Sequence, residues 1–163
     1  MTATISDREP RPACLPEELR ANTLFLLARL GFTIKARVLE EFEEAGFTMY
    51  EYSVLAILAE GASEAQATIA DVLSLDRSQL VGVLDNLEKR GLIERRRDPK
   101  DRRRHQVSLT PAGKREFGKL RAIVRKVDAS ILEPLDEETR KSLHKALLTV
   151  AAHNDARFGP TPE

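Results

Sequence analysis

Residues 69–117 read IADVLSLDRSQLVGVLDNLEKRGLIERRRDPKDRRRHQVSLTPAGKREF, and the order of local signals in this stretch decides the fold. An apolar run ends at Leu73, two residues follow, and Asp76 stands where a side-chain oxygen can cap a new helix. From Arg77 to Arg90, Leu80, Val83, Leu84 and Leu87 share one side of a helical wheel, and Gly91 closes the helix. Two helices separated by only Ser74 and Leu75 fit a helix-turn-helix better than an antiparallel hairpin. After Gly91, apolar and polar residues from Leu92 to Arg97 and from Arg104 to Leu109 flank the turn-forming Asp98-Pro99, which predicts a two-stranded hairpin with a basic tip. Thr110-Pro111 then supplies a cap and a proline at the first helical position, launching a helix to about Leu132.

Outward from this stretch the chain is helical on both sides. Upstream, Ser63-Glu64-Ala65-Gln66 has the capping-box pattern and predicts a short helix from there to Leu73. The same pattern at Thr48-Met49-Tyr50-Glu51 opens a helix that carries Val54, Leu55, Ile57 and Leu58 as far as Gly61. Further upstream, Leu19, Thr23, Leu26, Leu27, Leu30, Ile34, Val38 and Phe42 recur at three- and four-residue spacing. They predict one helix from Pro16 to the Gly46 break, about 28 residues and roughly 40 Å long. One small domain does not cover so long an apolar stripe, so a partner chain is expected to. Downstream, Pro134 breaks the chain and Asp136 or Glu137 starts a last helix with Leu143, Leu147, Leu148 and Val150. The 163 residues therefore read as mainly α with a small β-hairpin wing. A winged helix-turn-helix occupies 48–110, a helical dimerisation region 16–47 and 111–153, a mobile N-terminal arm 1–15 and a C-terminal tail 154–163.

The 26 basic and 26 acidic side chains cancel over the whole chain but not locally. Residues 1–88 carry seven basic against fifteen acidic groups, whereas KRGLIERRRDPKDRRR (89–104) carries nine against three. Such a patch attracts a polyanion, although charge alone fits a solvated loop. The exposed side of the helix from Arg77 tips the reading toward double-stranded DNA. Arg77 can pair bidentately with guanine, Ser78 offers a hydroxyl, and Val81 can meet a thymine methyl. Asp76, Gln79, Gly82, Asp85 and Lys89 complete that side. Gly82 costs about 1 kcal/mol of helix propensity relative to alanine and removes a side chain where the helix would approach a groove. The competing reading packs Gly82 and Val81 against a neighbouring element.

The same stretch resembles the MarR family of transcriptional regulators. The likeness is carried by Leu87-Glu88, Gly91-Leu92-Ile93, Arg95 and Arg96, the wing motif Asp101-x-Arg103, and Leu109-Thr110-Pro111-Ala112-Gly113. With the flanking helices it covers roughly Glu17 to His153. It implies a ligand-responsive DNA-binding regulator, acting as a repressor and as a homodimer through its first and last two helices on a pseudo-palindromic operator. Arg103 would enter the minor groove, held by an ion pair from Asp101, an assignment consistent with the negative potential of a narrow groove. Arg95, Arg96, Arg97, Lys100, Arg102 and Arg104 would then serve phosphates or the rim, each with a solvated strand residue as its competing reading. Position 82, where family members often carry a polar or basic side chain, is a departure. The resemblance also implies an effector crevice, for which Phe25, Arg29, Phe32, Tyr50, Tyr52 and Ser53 are candidates facing a small aromatic or anionic molecule. The alternative places Phe25 and Phe32 in a dimer core and leaves Arg29 an exposed charge.

Enzymatic readings find no support: phosphate-binding glycine loops, nucleophile elbows and His-Glu-x-x-His patterns are missing. No cofactor or metal is expected, since His105, His144 and His153 are scattered and lack close ligand neighbours. Cys14 is the single cysteine and reads as an incidental thiol. No apolar run approaches the ~20 residues of a membrane span, and the N-terminus lacks the apolar core of a secretory signal, so a cytoplasmic protein is expected. Two alternatives stay open: a winged-helix module for a protein partner, and a metal- or redox-responsive variant of the regulator.

Overall fold

The apolar spacing from Leu19 to Phe42 does not make one helix. In the computed structural model, which describes residues 14–61, 63–97 and 105–159, helix α1 (Glu17–Arg20) stops and α2 (Thr23–Glu44) begins anew. The cause is Asn22, whose side-chain oxygen accepts from the Phe25 amide at 3.0 Å. A short polar side chain that can cap a first turn competes with continuation of the preceding one. The chain forms two units, one up to Lys35 and one from Ala36 onward. In the first, Leu24, Leu26, Leu27, Leu30 and Phe32 are all exposed. Of the arm 1–15 only Cys14 and Leu15 are described, and both are exposed.

The second unit is built around α3 (Met49–Glu60). Thr48 and Glu51 form the expected capping box, the hydroxyl accepting from the Glu51 amide at 3.2 Å and the carboxylate from the Thr48 amide at 2.7 Å. Val54, Leu55 and Leu58 of α3 enter a core shared with Val38 and Phe42, with Ile69 of α4 (Gln66–Leu73), and with Leu80, Leu84 and Leu87 of α5 (Arg77–Lys89). Val107 of β3 (His105–Leu109) and Leu120 and Val127 of α6 (Pro111–Ile131) complete it. The Tyr52 ring lies between those of Phe42 and Phe117.

Glu51 does more than cap. It is 2% exposed, the one buried charged residue among those described. Its second carboxylate oxygen accepts from the Asn86 amide group at 2.6 Å and lies 3.4 Å from the Arg90 guanidinium. Arg90 in turn donates to the Gly46 carbonyl and lies 3.8 Å over the Phe47 ring. One carboxylate thus joins the start of α3 to the far end of α5.

The wing is wider than the hairpin expected from sequence. Glu64–Ala65 forms a strand β1 that pairs with β3, which pairs with β2 (Ile93–Arg97), giving an antiparallel order β1-β3-β2. The capping box read at Ser63-Gln66 does not form. Ser63 instead donates its hydroxyl to Gln106 at 2.9 Å, and α4 starts one residue after the strand without a side-chain cap. Between α4 and α5 the chain turns at Ser74, the sole non-glycine with positive φ (52°) among the described residues. Asp76 caps α5 as expected.

After β3, Thr110 ties three segments together. Its hydroxyl donates to the Gly91 carbonyl at 2.7 Å and accepts from the Gly113 amide at 3.0 Å, and its own amide donates to the Leu92 carbonyl at 3.1 Å. Gly113 is required here: a Cβ at that position would lie 1.9 Å from the Leu92 carbonyl oxygen. Helix α7 (Glu137–Asn154) follows, capped by Asp136, and buries none of its residues. Of the residues read as a C-terminal tail, 154–163, Asn154 ends α7 and Ala156–Phe158 form a 3-10 turn; 160–163 lie outside the described residues.

Candidate nucleic-acid interface

The Asp76 carboxylate that starts α5 accepts from the Ser78 amide at 2.8 Å, the Gln79 amide at 2.9 Å and the Ser78 hydroxyl at 2.6 Å. The Ser78 hydroxyl, followed by the Gln79 amide, holds its carboxyl below the usual carboxylate range. Asp76 and Ser78 therefore fix the first turn, and the hydroxyl proposed to meet DNA already has a partner. Arg77, Gln79 and Lys89 are exposed, with no side-chain partner among the described residues. A Cβ at Gly82 would meet nothing within 4 Å. Its glycine is thus not explained by close packing among the described residues, and there the helix backbone is bare at the middle of its outer face. Val81 is half-buried and lines a cleft of about 320 Å³ with Gln66, Glu88, Arg95 and His105.

Arg95 is the residue whose role departs most from the sequence reading. Its guanidinium donates to Asp85 at 2.6 Å and, through two nitrogens, to Glu88. The hydrogen bond from Arg95 holds the Glu88 carboxyl below its ordinary range, and the same bond raises the Arg95 guanidinium further. A charge-assisted pair of this geometry is stronger than a neutral hydrogen bond, so Arg95 clasps β2 to α5. Asp85, read as part of the exposed reading side, is the other jaw of that clasp. Arg96 pairs with Glu94 at 3.1 Å, while Arg97 is exposed without a partner among the described residues. Lys100, Asp101, Arg102, Arg103 and Arg104 lie outside the described residues.

Two residues of this cleft were not among the site candidates read from sequence. Gln66 was absorbed into a capping box that does not form, and His105 into a search for metal ligands; β-pairing places both on the cleft beside Val81. The strand that holds His105 was read from sequence, whereas the two-residue strand before Gln66 carries no local mark.

Of the effector candidates, Phe25, Arg29 and Phe32 belong to the first unit and Tyr50, Tyr52 and Ser53 to the second. Phe32 is 71% exposed, Tyr50 is exposed, and the Ser53 hydroxyl donates to the Met49 carbonyl at 2.9 Å. The Tyr52 ring is engaged by Phe42 and Phe117. Among the described residues no three His, Cys, Asp or Glu side chains gather as a metal site, and no helix is long and apolar enough to cross a membrane.

This arrangement of helices and wing is found in known proteins. The MarR family model matches residues 47–105. The HTH-type transcriptional repressor MdtR of Bacillus subtilis (strain 168) is 31% identical over 143 residues, covering 86% of this chain and 92% of MdtR. CouR from Rhodococcus jostii RHA1, in its structure with p-coumaroyl-CoA, superimposes with a TM-score of 0.70 at 29% identity, over 91% of this chain and 100% of CouR. The transcriptional repressor CouR bound to a 23-mer DNA duplex gives a TM-score of 0.74 at 29% identity, over 86% of this chain and 99% of that one. With the capped α5, the three-stranded sheet and the Thr110–Gly113 junction all in place, the chain belongs to the MarR family of winged helix-turn-helix transcriptional regulators, DNA-binding proteins that are not enzymes.

Proposed function

We propose that this regulator binds a pseudo-palindromic operator as a homodimer, reading sequence through α5, and represses until a small aromatic or anionic effector releases it. The observation that carries the DNA part is the outer face of α5, where Arg77 and Lys89 have no side-chain partner among the described residues and the backbone is bare at Gly82. Arg103 in the minor groove, oriented by Asp101, belongs to the same reading. The dimer rests on apolar surface left open: Leu24, Leu26, Leu27, Leu30 and Phe32 in the first unit, and Leu147, Leu148 and Val150 of α7 in the second. Exposed apolar area on this scale marks an association surface. Half-site centres then lie about one helical turn, roughly 10 bp, apart. Sedimentation at micromolar concentration should give a dimer, and a folded monomer there would remove this part of the reading. Repression and release are supported by the similarity to CouR, a repressor whose structures hold DNA and p-coumaroyl-CoA.

The test begins with selection of duplexes from fragmented genomic DNA by the purified protein. On the selected duplex, Arg77→Ala should cost about 1–3 kcal/mol, and much less on unrelated DNA, because a bidentate base contact is lost. Equal losses on both would make Arg77 a phosphate contact and move the reading of sequence to other residues.

A further inference from the structure

Past the end of α7 the chain folds back on the helix-turn-helix. Asp155 accepts from the Arg157 amide at 3.0 Å and from the Arg157 guanidinium through Nε at 2.9 and 3.0 Å to its two oxygens. Held there, the same guanidinium donates through its other arm to the Ser74 hydroxyl and lies 3.4 Å from the Val72 carbonyl. One acceptor, Ser74, lies in the turn between α4 and α5, and the other closes α4. Val72 is in the last turn of α4, where carbonyls lack partners within the helix and a cation is favoured. Ser74 is the C-cap of α4 and holds φ at 52°, a conformation that a residue with a Cβ adopts at a cost unless its surroundings enforce it. This turn is the covalent joint between α4 and α5.

We propose that Arg157 is a positioning residue for DNA binding: anchored by Asp155, it clamps the Ser74 turn and so holds α5 at its working angle to α4. The inference rests on α5 as the reading helix, and it extends the DNA-binding machinery to a segment outside both the helix-turn-helix and the wing. At physiological pH the anchor is permanently charged, since the Arg157 guanidinium lowers the Asp155 carboxyl to about 2.

The test uses the full chain with Arg157→Ala, Arg157→Lys, Ser74→Ala and the Arg157→Ala/Ser74→Ala double variant. Amide exchange at Ser74 and Leu75 is followed without DNA, melting temperature alongside, and affinity is measured on the selected duplex. Arg157→Ala should speed exchange at these two amides and weaken the duplex complex, each by about two- to fivefold, the scale of a solvent-exposed contact from a charged group. Its melting temperature should stay near that of the parent. Arg157→Lys should recover part of both, and the double variant should be no worse than Arg157→Ala alone, as expected when two residues act through one contact. Parent-like exchange in Arg157→Ala, or fully additive losses in the double variant, would overturn the clamp. Faster exchange with unchanged affinity on a duplex that the parent binds would overturn its role in DNA binding. If the parent selects no duplex, the α5 reading fails by itself, and the exchange rates still decide whether the clamp exists.

Discussion

Replacing Gly113 by alanine is expected to lower folding stability by roughly 3 kcal/mol, the upper end of overpacking costs. The added Cβ would lie 1.9 Å from the Leu92 carbonyl oxygen, and the atom in its way is backbone, which cannot rotate aside. That carbonyl also accepts from the Thr110 amide, and the Thr110 hydroxyl bonds the Gly91 carbonyl and the Gly113 amide. Relieving the clash therefore pulls α6 away from the base of β2 and breaks bonds at the junction. Urea unfolding measures the loss, and Gly118→Ala is the internal control. Gly118 lies on the same helix with nothing within 4 Å of a new Cβ, so there alanine should stabilise by about 0.5–1 kcal/mol. Equal effects at the two positions would show that the junction is soft and that the glycine is not required.

Glu51→Ala is expected to cost about 2–3 kcal/mol: the carboxylate is buried, but its partners Thr48, Asn86 and Arg90 reach solvent. The loss has named parts. The Thr48 amide loses its acceptor at 2.7 Å and the Asn86 amide its acceptor at 2.6 Å; both residues reach solvent, so each lost bond costs about 0.5–1.5 kcal/mol. Arg90 suffers less, since it keeps the Gly46 carbonyl and the Phe47 ring. Glu51→Gln should lose about half as much, because its single amide oxygen can serve one of the donors. Asn86→Ala in the Glu51→Ala background should then cost little, since the pair acts as a unit. Thermal unfolding of the three variants gives the answer, and a Glu51→Ala loss below 1 kcal/mol would mean that water replaces the carboxylate without penalty.

The elements that could be read from sequence are those whose decisive contact is local. Thr48 with Glu51, Asp76 with Ser78 and Gln79, and Thr110 with Gly113 all bond within three residues, and each marks a helix start that the chain adopts. Ser63-Gln66 has the same spelling and fails, because the Ser63 hydroxyl meets Gln106 in the neighbouring strand, 43 residues away. Asn22 carried a cap signal that the unbroken apolar spacing around it outweighed. For the site, the outer face of α5 was legible because a wheel of 13 residues shows it directly. What hid was pairing at a distance: Glu51 with Asn86 and Arg90, Arg95 with Asp85 and Glu88, and Arg157 with Ser74. A basic tract displays its arginines equally, and only the folded chain separates those already engaged from those still free.

The Arg95 clasp changes how the ionic-strength dependence of the DNA complex is to be interpreted. Each phosphate neutralised by a protein cation releases condensed counterions and adds about 0.9 to the slope of log affinity against log salt. One guanidinium between two carboxylates forms a cluster of net charge −1, which displaces no counterion when the duplex docks, and Glu94 diverts part of Arg96 in the same way. Nine basic side chains occupy residues 89–104, yet the thermodynamic valence of the complex is set by the smaller number that the fold leaves uncommitted.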